Sequence, residues 1–249
     1  MQNSDLCLTV VMPCFNEEAT IKECTTKVLE SRHVGEPIIV DDGSTDKTRA
    51  LLATMTDLRV RILLQEVNRG KGATIARGFK SATLPYVIVQ DADLEYDPTE
   101  FFKLLQPLID GKADAVFGSR FIGSDAHRVL YFWHSVANRM LTLASNAFTN
   151  LNLTDMETCY KCFKREVIQS IDLREERFGI EPELASKVAK GRWKIYEVGI
   201  SYSGRTYDEG KRSAPKMHFA PSIACRNTVK SRLPPRTEFC CFQNSDKPF

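Results

Sequence analysis

Short apolar runs alternating with helical patterns constrain this chain more than any other feature. Residues 8–12, 37–40, 60–64, 86–89 and 113–117 form such runs, and helical patterns fill the intervals at 17–31, 45–55, 71–82 and 98–109, the last with Pro98 in its first turn. A strand that is apolar on both sides needs cover on both faces. Runs of this kind separated by helices therefore specify a Rossmann-like α/β fold, a mostly parallel sheet flanked by helices. The second half is looser: a helical stretch rich in aromatic and small residues at 129–148, a strand at 158–163, helices at 165–171 and 181–190, and an alternating strand at 194–202. No linker divides the 249 residues, which suffice for one domain with a full core, expected over 1–211. Beyond it the periodicity fails, and 212–249, with prolines and scattered basic residues, reads as an irregular, disordered or loosely attached tail.

On an open α/β sheet, ligands bind beyond the carboxyl ends of the strands. Three polar clusters fall there: Met12-Pro-Cys-Phe-Asn-Glu17, Val40-Asp-Asp-Gly-Ser-Thr-Asp46 and Gln90-Asp-Ala-Asp-Leu-Glu95. Acidic residues gathered on one edge repel one another, a cost that a bound cation removes. Alternate side chains past a strand end point the same way, so Asp91, Asp93 and then Glu95 are expected to converge. Carboxylate oxygens suit Mg2+ or Mn2+, which a diphosphate also coordinates. A lone pair of aspartates is weak evidence, since acidic pairs in turns are usually solvated. The three aligned strand ends give the pair its weight.

Several function classes are disfavoured. A net charge of +2 gives no global basic field, so no nucleic-acid partner is expected. No apolar run reaches about 18 residues, so no transmembrane helix is expected, and the polar start of the chain does not read as a signal peptide. The eight cysteines (Cys7, Cys14, Cys24, Cys159, Cys162, Cys225, Cys240, Cys241) are irregularly spaced and read as reduced thiols of a cytoplasmic protein. Cys159 and Cys162 have C-x-x-C spacing without a second pair or nearby histidines. Their segment alternates like a strand, which puts the two thiols on opposite faces. The histidines, His33, His127, His134 and His218, are scattered and fall at no ligand spacing.

Four segments in order carry a family resemblance: Val11-Met-Pro-Cys-Phe-Asn-Glu-Glu18, Val40-Asp-Asp-Gly-Ser-Thr-Asp46, Asn68-Arg-Gly-Lys-Gly72 and Gln90-Asp-Ala-Asp-Leu94. Together they resemble the family-2 glycosyltransferases of GT-A fold, and most nearly the dolichyl- and polyprenyl-phosphate sugar synthases, over roughly 8–211. The resemblance implies roles. Pro13, Phe15 and Glu17 frame the base and ribose, with Phe15 where Tyr is usual. Val40 and Asp42 are further nucleoside contacts. Asp91, Ala92 and Asp93 form the donor and metal motif, with Glu95 where these synthases often have Gln. Arg120, in Gly118-Ser119-Arg120, reaches the donor phosphates, and Arg205 and Lys211 belong to a late loop over the donor diphosphate and acceptor phosphate. Asp155 and Glu157 fall on an acceptor-side turn. The tail from Ser213 to Phe249 departs from the family, whose members usually continue with a more apolar segment.

Plainer alternatives stand beside these roles. Ser44, Thr45 or Asp46 can cap the following helix. Lys71, between two glycines ahead of a helix, fits a phosphate nest or an ordinary helix start equally. Arg120 can pair with Asp125, and 129–143 can be a buried core helix or an amphipathic helix lying on a bilayer.

The chemistry expected is inverting transfer of a hexose from GDP-mannose or UDP-glucose to a polyprenyl or dolichyl phosphate. Asp93, Arg120 and Lys211 would be catalytic, with Mg2+ or Mn2+ as cofactor and the protein peripheral at the cytoplasmic face of a membrane. The alternatives are transfer to a saccharide hydroxyl, with Glu181 or Glu183 as base, or nucleotide-sugar binding without catalysis.

Overall fold

The computed structural model describes residues 6–123, 129 and 131–204. Asp125, Arg205, Lys211 and the boundary expected at 211–212 lie outside the described residues. Seven strands form one sheet: β1 (Leu8–Cys14), β2 (Val34–Asp41), β3 (Arg61–Leu64), β4 (Tyr86–Val89), β5 (Ala115–Ser119), β6 (Lys161–Lys164) and β7 (Ile195–Gly199). Their spatial order is β3-β2-β1-β4-β6-β5-β7. All neighbouring pairs are parallel except those made by β6, which runs antiparallel to β4 and β5. The mostly parallel α/β fold is as the apolar runs predict. Val10, Val11, Ile38, Ile39, Val87 and Ile88 are buried because helices cover both faces of the sheet centre.

The helices are α1 (Ile21–Glu30), α2 (Thr48–Leu52), α3 (Lys71–Ser81), α4 (Phe101–Ile109), α5 (Phe132–Thr149), α6 (Arg165–Ser170) and α7 (Ile180–Lys190). Pro98–Glu100 is a 3-10 turn that leads into α4, so the helix starts later than its sequence pattern implies. The strand expected from Thr158 begins only at Lys161, because 154–160 is a loop tied to its neighbours by side chains.

The helix α5 is turned against its composition. Its buried residues are Asn138, Thr142 and Ser145, at positions i, i+4 and i+7. They face a polar loop: Asn138 Nδ2 donates to Asp155 Oδ1 (3.0 Å), Thr142 Oγ1 accepts from the Met156 amide (3.2 Å), and Asn146 exchanges bonds with the backbone of Leu153. Phe132, Trp133, Met140, Leu143 and Phe148 point outward, with Trp133 76% exposed. The core-helix alternative is therefore excluded.

One consequence of the topology places the site. Because β6 is reversed, its amino end lies at the same sheet edge as the carboxyl ends of β1, β2, β4, β5 and β7. The loops after those five strands and the loop before β6 all meet there.

Candidate active site

The loops after β1 and β2 are laced together. Asn16, at φ 54, turns its side chain so that Oδ1 accepts from the amide of Thr45 (2.7 Å), while its own amide donates to Ser44 Oγ (2.9 Å). The Glu17 amide donates to Thr48 Oγ1 (2.9 Å). The N-cap position of α2 is Lys47, which no side chain caps; Asp46, one residue earlier, accepts through Oδ1 from the amide of Thr48, the first residue of α2, and Ser44 serves the β1 loop. Pro13, Phe15 and Glu17 stand half-buried on this edge.

Two expected nucleoside contacts are otherwise engaged. Val40 is fully buried in the core, because the strand extends to Asp41, so its side chain does not reach the edge. Asp42 is a loop clamp: Oδ1 accepts from Gln65 Nε2 and the Arg69 amide (both 2.8 Å), and Oδ2 accepts from the Gly70 amide (2.8 Å). The clamped loop abuts residues 175–177. Gly70, at φ 104, and Gly72 approach the carbonyl oxygens of Glu176 and Glu175 so closely that a Cβ at either would collide with them. No other residue type fits these two positions without moving that backbone.

That packing delivers Lys71 to the β4 end. Its Nζ lies 2.8 Å from Asp91 Oδ1 and 2.9 Å from Oδ2, and 3.9 Å from Glu181 Oε1. Glu181 in turn pairs with the fully buried Lys161. Burial lowers the proton affinity of Lys71, but the charges of Asp91 and Glu181 outweigh it and hold the ammonium well above its ordinary range. Lys71 is the first residue of α3, as the helix-start alternative has it, and its side chain reaches the site. Its place was signalled, since a cation in the first turn of a helix opposes the macrodipole and needs another partner.

The three carboxylates expected to converge do not do so. The chain turns after Asp91, with Leu94 at φ 63, so strand alternation does not continue and Asp91, Asp93 and Glu95 lose their common direction. Asp91 faces Lys71, Asp93 Oδ1 accepts from the Glu95 amide (3.1 Å), and Glu95 Oε2 accepts from the hydroxyl of Tyr202 (2.6 Å). Among the described residues no three His, Cys, Asp or Glu side chains are grouped so as to hold a metal ion. The donor set remains one of hard oxygens. It fits Mg2+ or Mn2+ only as a partial shell, with Asp91 and Asp93 flanking buried Ala92 and the remaining oxygens left to a ligand.

The other half of the edge is built on buried charge. Arg120 Nε and Nη2 donate to Asp155 Oδ2 and Oδ1 (2.7 and 2.8 Å), a two-pronged pair reinforced by the Arg120 amide (3.1 Å) and by Asn138. Its guanidinium lies 5.1 Å from the Tyr202 ring centre. Burial raises the proton affinity of Asp155, but the Arg120 bonds overcome it and leave the carboxyl below its ordinary range. Arg120 is thus held by Asp155, 35 residues away, and the alternative partner Asp125 lies outside the described residues. Glu197 carries the amides of Thr154 and Asp155 (2.9 and 3.1 Å). Cys159 is buried near Asp91, whose charge adds to burial in pushing the thiol above its ordinary range, while Cys162 lies in the core, and both are free thiols. Cys159, Tyr202 and Lys161 were not singled out as site residues by sequence reasoning, because each reaches the edge through a partner distant in the chain.

Residues 9–172 match the family model described as Glycosyl transferase family 2. The undecaprenyl-phosphate 4-deoxy-4-formamido-L-arabinose transferase of Pseudomonas aeruginosa is 28% identical over 236 residues, covering 91% of this chain and 67% of that protein. The low-salt glycan biosynthesis hexosyltransferase Agl6 of Haloferax volcanii is 28% identical over 212 residues, covering 84% of this chain and 50% of the relative. Among solved structures, glucosyl-3-phosphoglycerate synthase from Mycobacterium tuberculosis, in complex with Mn2+, UDP and glucosyl-3-phosphoglycerate, superposes with a TM-score of 0.62 at 24% identity, covering 82% of this chain and 74% of that one. The same synthase in complex with Mg2+ and UDP gives 0.61 at 25% identity. With the family match covering about two thirds of the sequence, and the sheet that the apolar runs predict, the chain belongs to glycosyl transferase family 2.

Proposed function

We propose that this chain is an inverting, metal-dependent hexosyltransferase that moves a hexose from GDP-mannose or UDP-glucose to a polyprenyl or dolichyl phosphate. The observation that carries the reading is the Lys71–Asp91 pair beside Asp93 at the β4 end. It sets an exchangeable cation next to two carboxylates, the combination that a diphosphate leaving group and its counter-ion require. The Pseudomonas aeruginosa relative, named for an undecaprenyl-phosphate acceptor, supports the acceptor class.

Asp93 and Asp91 would hold the Mg2+ or Mn2+, with Glu95 behind them on Tyr202. When bound, that ion supplies Lewis-acid stabilisation of charge growing on the leaving diphosphate. Lys71 would exchange Asp91 for diphosphate oxygens, and Arg120, fixed by Asp155, would add positive potential without reorganising. Pro13, Phe15, Glu17 and the edge near Asp42 would frame the nucleoside, and Arg205 and Lys211 would hold phosphates. A phosphate acceptor is already anionic and needs no base.

That point separates this reading from transfer to a hydroxyl. Both carboxylates expected as bases are occupied: Glu183 accepts from the amides of Arg174 and Glu175 and pairs with Lys187, and Glu181 pairs with Lys161 and faces Lys71. Access to a lipid substrate would come through the outward face of α5, where Phe132, Trp133 and Leu143 expose apolar surface on the helix whose inner side holds the Asp155 loop. No helix among the described residues is long and apolar enough to cross a membrane. With a lipid-phosphate acceptor, the protein would work peripherally at the cytoplasmic face of a membrane.

Purified protein with Mn2+ and each labelled donor should yield a lipid-extractable product. No product from either donor with any polyprenyl phosphate sinks the reading, and a water-soluble product redirects it to a saccharide acceptor.

A further inference from the structure

Four charged side chains, Asp91, Lys71, Glu181 and Lys161, form a chain across the site edge. Lys71, the first residue of α3, covers both oxygens of Asp91 at the β4 end, at 2.8 and 2.9 Å. The two side chains keep a face to solvent, 24% and 21% exposed, so an ion can reach them. Glu181, in the first turn of α7, comes next: its Oε2 pairs with Lys161, and its Oε1 faces Lys71 Nζ across 3.9 Å. Lys161, the first residue of β6, is fully buried and also donates to the Thr158 carbonyl. A buried ion pair of this kind adds little stability over an apolar pair of the same volume. One of its carboxylate oxygens, however, stands about 1 Å beyond hydrogen-bond reach of a third charge, Lys71.

We propose that Glu181 is a positioning residue that takes up the ammonium of Lys71 when Asp91 turns to a divalent cation, an inference that rests on the metal-dependent reading above. An ammonium and a divalent cation cannot hold the same two oxygens, since like charges in contact repel. Lys71 must therefore yield Asp91. Its stem is flexible, and release to solvent would lose its charge to the leaving diphosphate. Glu181 gives it a nearer place. Lys161 holds Glu181 from behind through one oxygen and leaves the other for Lys71. The receiving carboxylate is thus aimed before the exchange and need not reorganise during it.

The test titrates Mn2+ into the full chain by calorimetry, with GDP or UDP present, for the wild type and the variants K71M, E181Q and K71M/E181Q. K71M should tighten Mn2+ binding by about tenfold, because a competitor for Asp91 is gone, and should weaken the nucleoside diphosphate. E181Q should loosen Mn2+ by about tenfold, because Lys71 then has only Asp91. In the K71M background E181Q should change Mn2+ affinity little, the non-additivity that a shared contact produces. Where E181Q strands the buried Lys161 and does not fold, K161M/E181Q removes the pair together and is read the same way, with and without K71M. The proposal is overturned if K71M binds Mn2+ no more tightly than the wild type, or if E181Q costs the same in both backgrounds, the mark of a general field or fold effect. A wild type that takes no Mn2+ with either nucleotide removes the metal-dependent reading and this proposal with it. A wild type that binds Mn2+, with either of those variant results, removes only the hand-over to Glu181.

Discussion

The two halves of the site edge are held by different physics. The loops after β1 and β2 are laced mostly by single side-chain-to-backbone bonds among Asn16, Ser44, Asp46 and Thr48, with one ion pair, Arg49 to the buried Asp41, at the β2 end. The loops of β5 and β6 are held by buried charges, Arg120 with Asp155 and Lys161 with Glu181. Losing one neutral bond costs about 1 kcal/mol, because water or a neighbour replaces it in part. A buried ion that loses its only counter-charge has no such substitute. The first half therefore tolerates local change, while the second transmits it: Asp155 touches Arg120, the acceptor-side loop and α5 at once.

The largest effect should come from the β4 end, where both halves meet. Asp93→Ala should lower transfer by roughly a thousandfold, on the scale of losing a main electrostatic stabiliser. Retained turnover in the labelled-donor assay removes the metal-holding role. Asp155→Ala tests the charge-built half. It leaves Arg120 buried without its partner and should destabilise the fold by about 3–5 kcal/mol in urea unfolding. A cost under about 1 kcal/mol erases the contrast. The wild-type pH response follows from the same pair. The folded Asp155 pKa lies below its unfolded value, so its contribution is complete above the unfolded value and is lost as pH falls through the folded one. Acid unfolding should be correspondingly less steep in the variant. Ser44→Ala tests the laced half and should cost only about 0.5–1.5 kcal/mol, for one bond to the Asn16 amide. A loss as large as that of Asp155→Ala would show the two halves to be equally brittle.

The sequence was most informative where function depends on the parallel sheet. Residues 8–12 and 86–89 announce β1 and β4 because strands buried on both faces must be apolar throughout. The polar clusters that follow them are conspicuous for the same reason. It was least informative where a partner is remote. Lys71 lies 20 residues from Asp91, Arg120 lies 35 from Asp155, and Glu95 lies 107 from Tyr202. The convergence of Asp91, Asp93 and Glu95 failed for a local reason: the strand alternation on which it depended stops at Val89, and the chain turns at Ala92 and Asp93 before the left-handed Leu94.

What the sequence determined by itself is the sheet, its flanking helices and the edge on which the site lies, because hydrophobic period and turn chemistry act over a few residues. Only the tertiary structure decided which charges meet and which side of α5 faces in. Periodicity shows that a helix has two faces, but not which neighbour each will find. A polar loop behind Asn138 and Thr142 drew the polar face inward and left the aromatic residues outside, and the pairing of Lys71 with Asp91 was fixed only when Gly70 and Gly72 packed against 175–177.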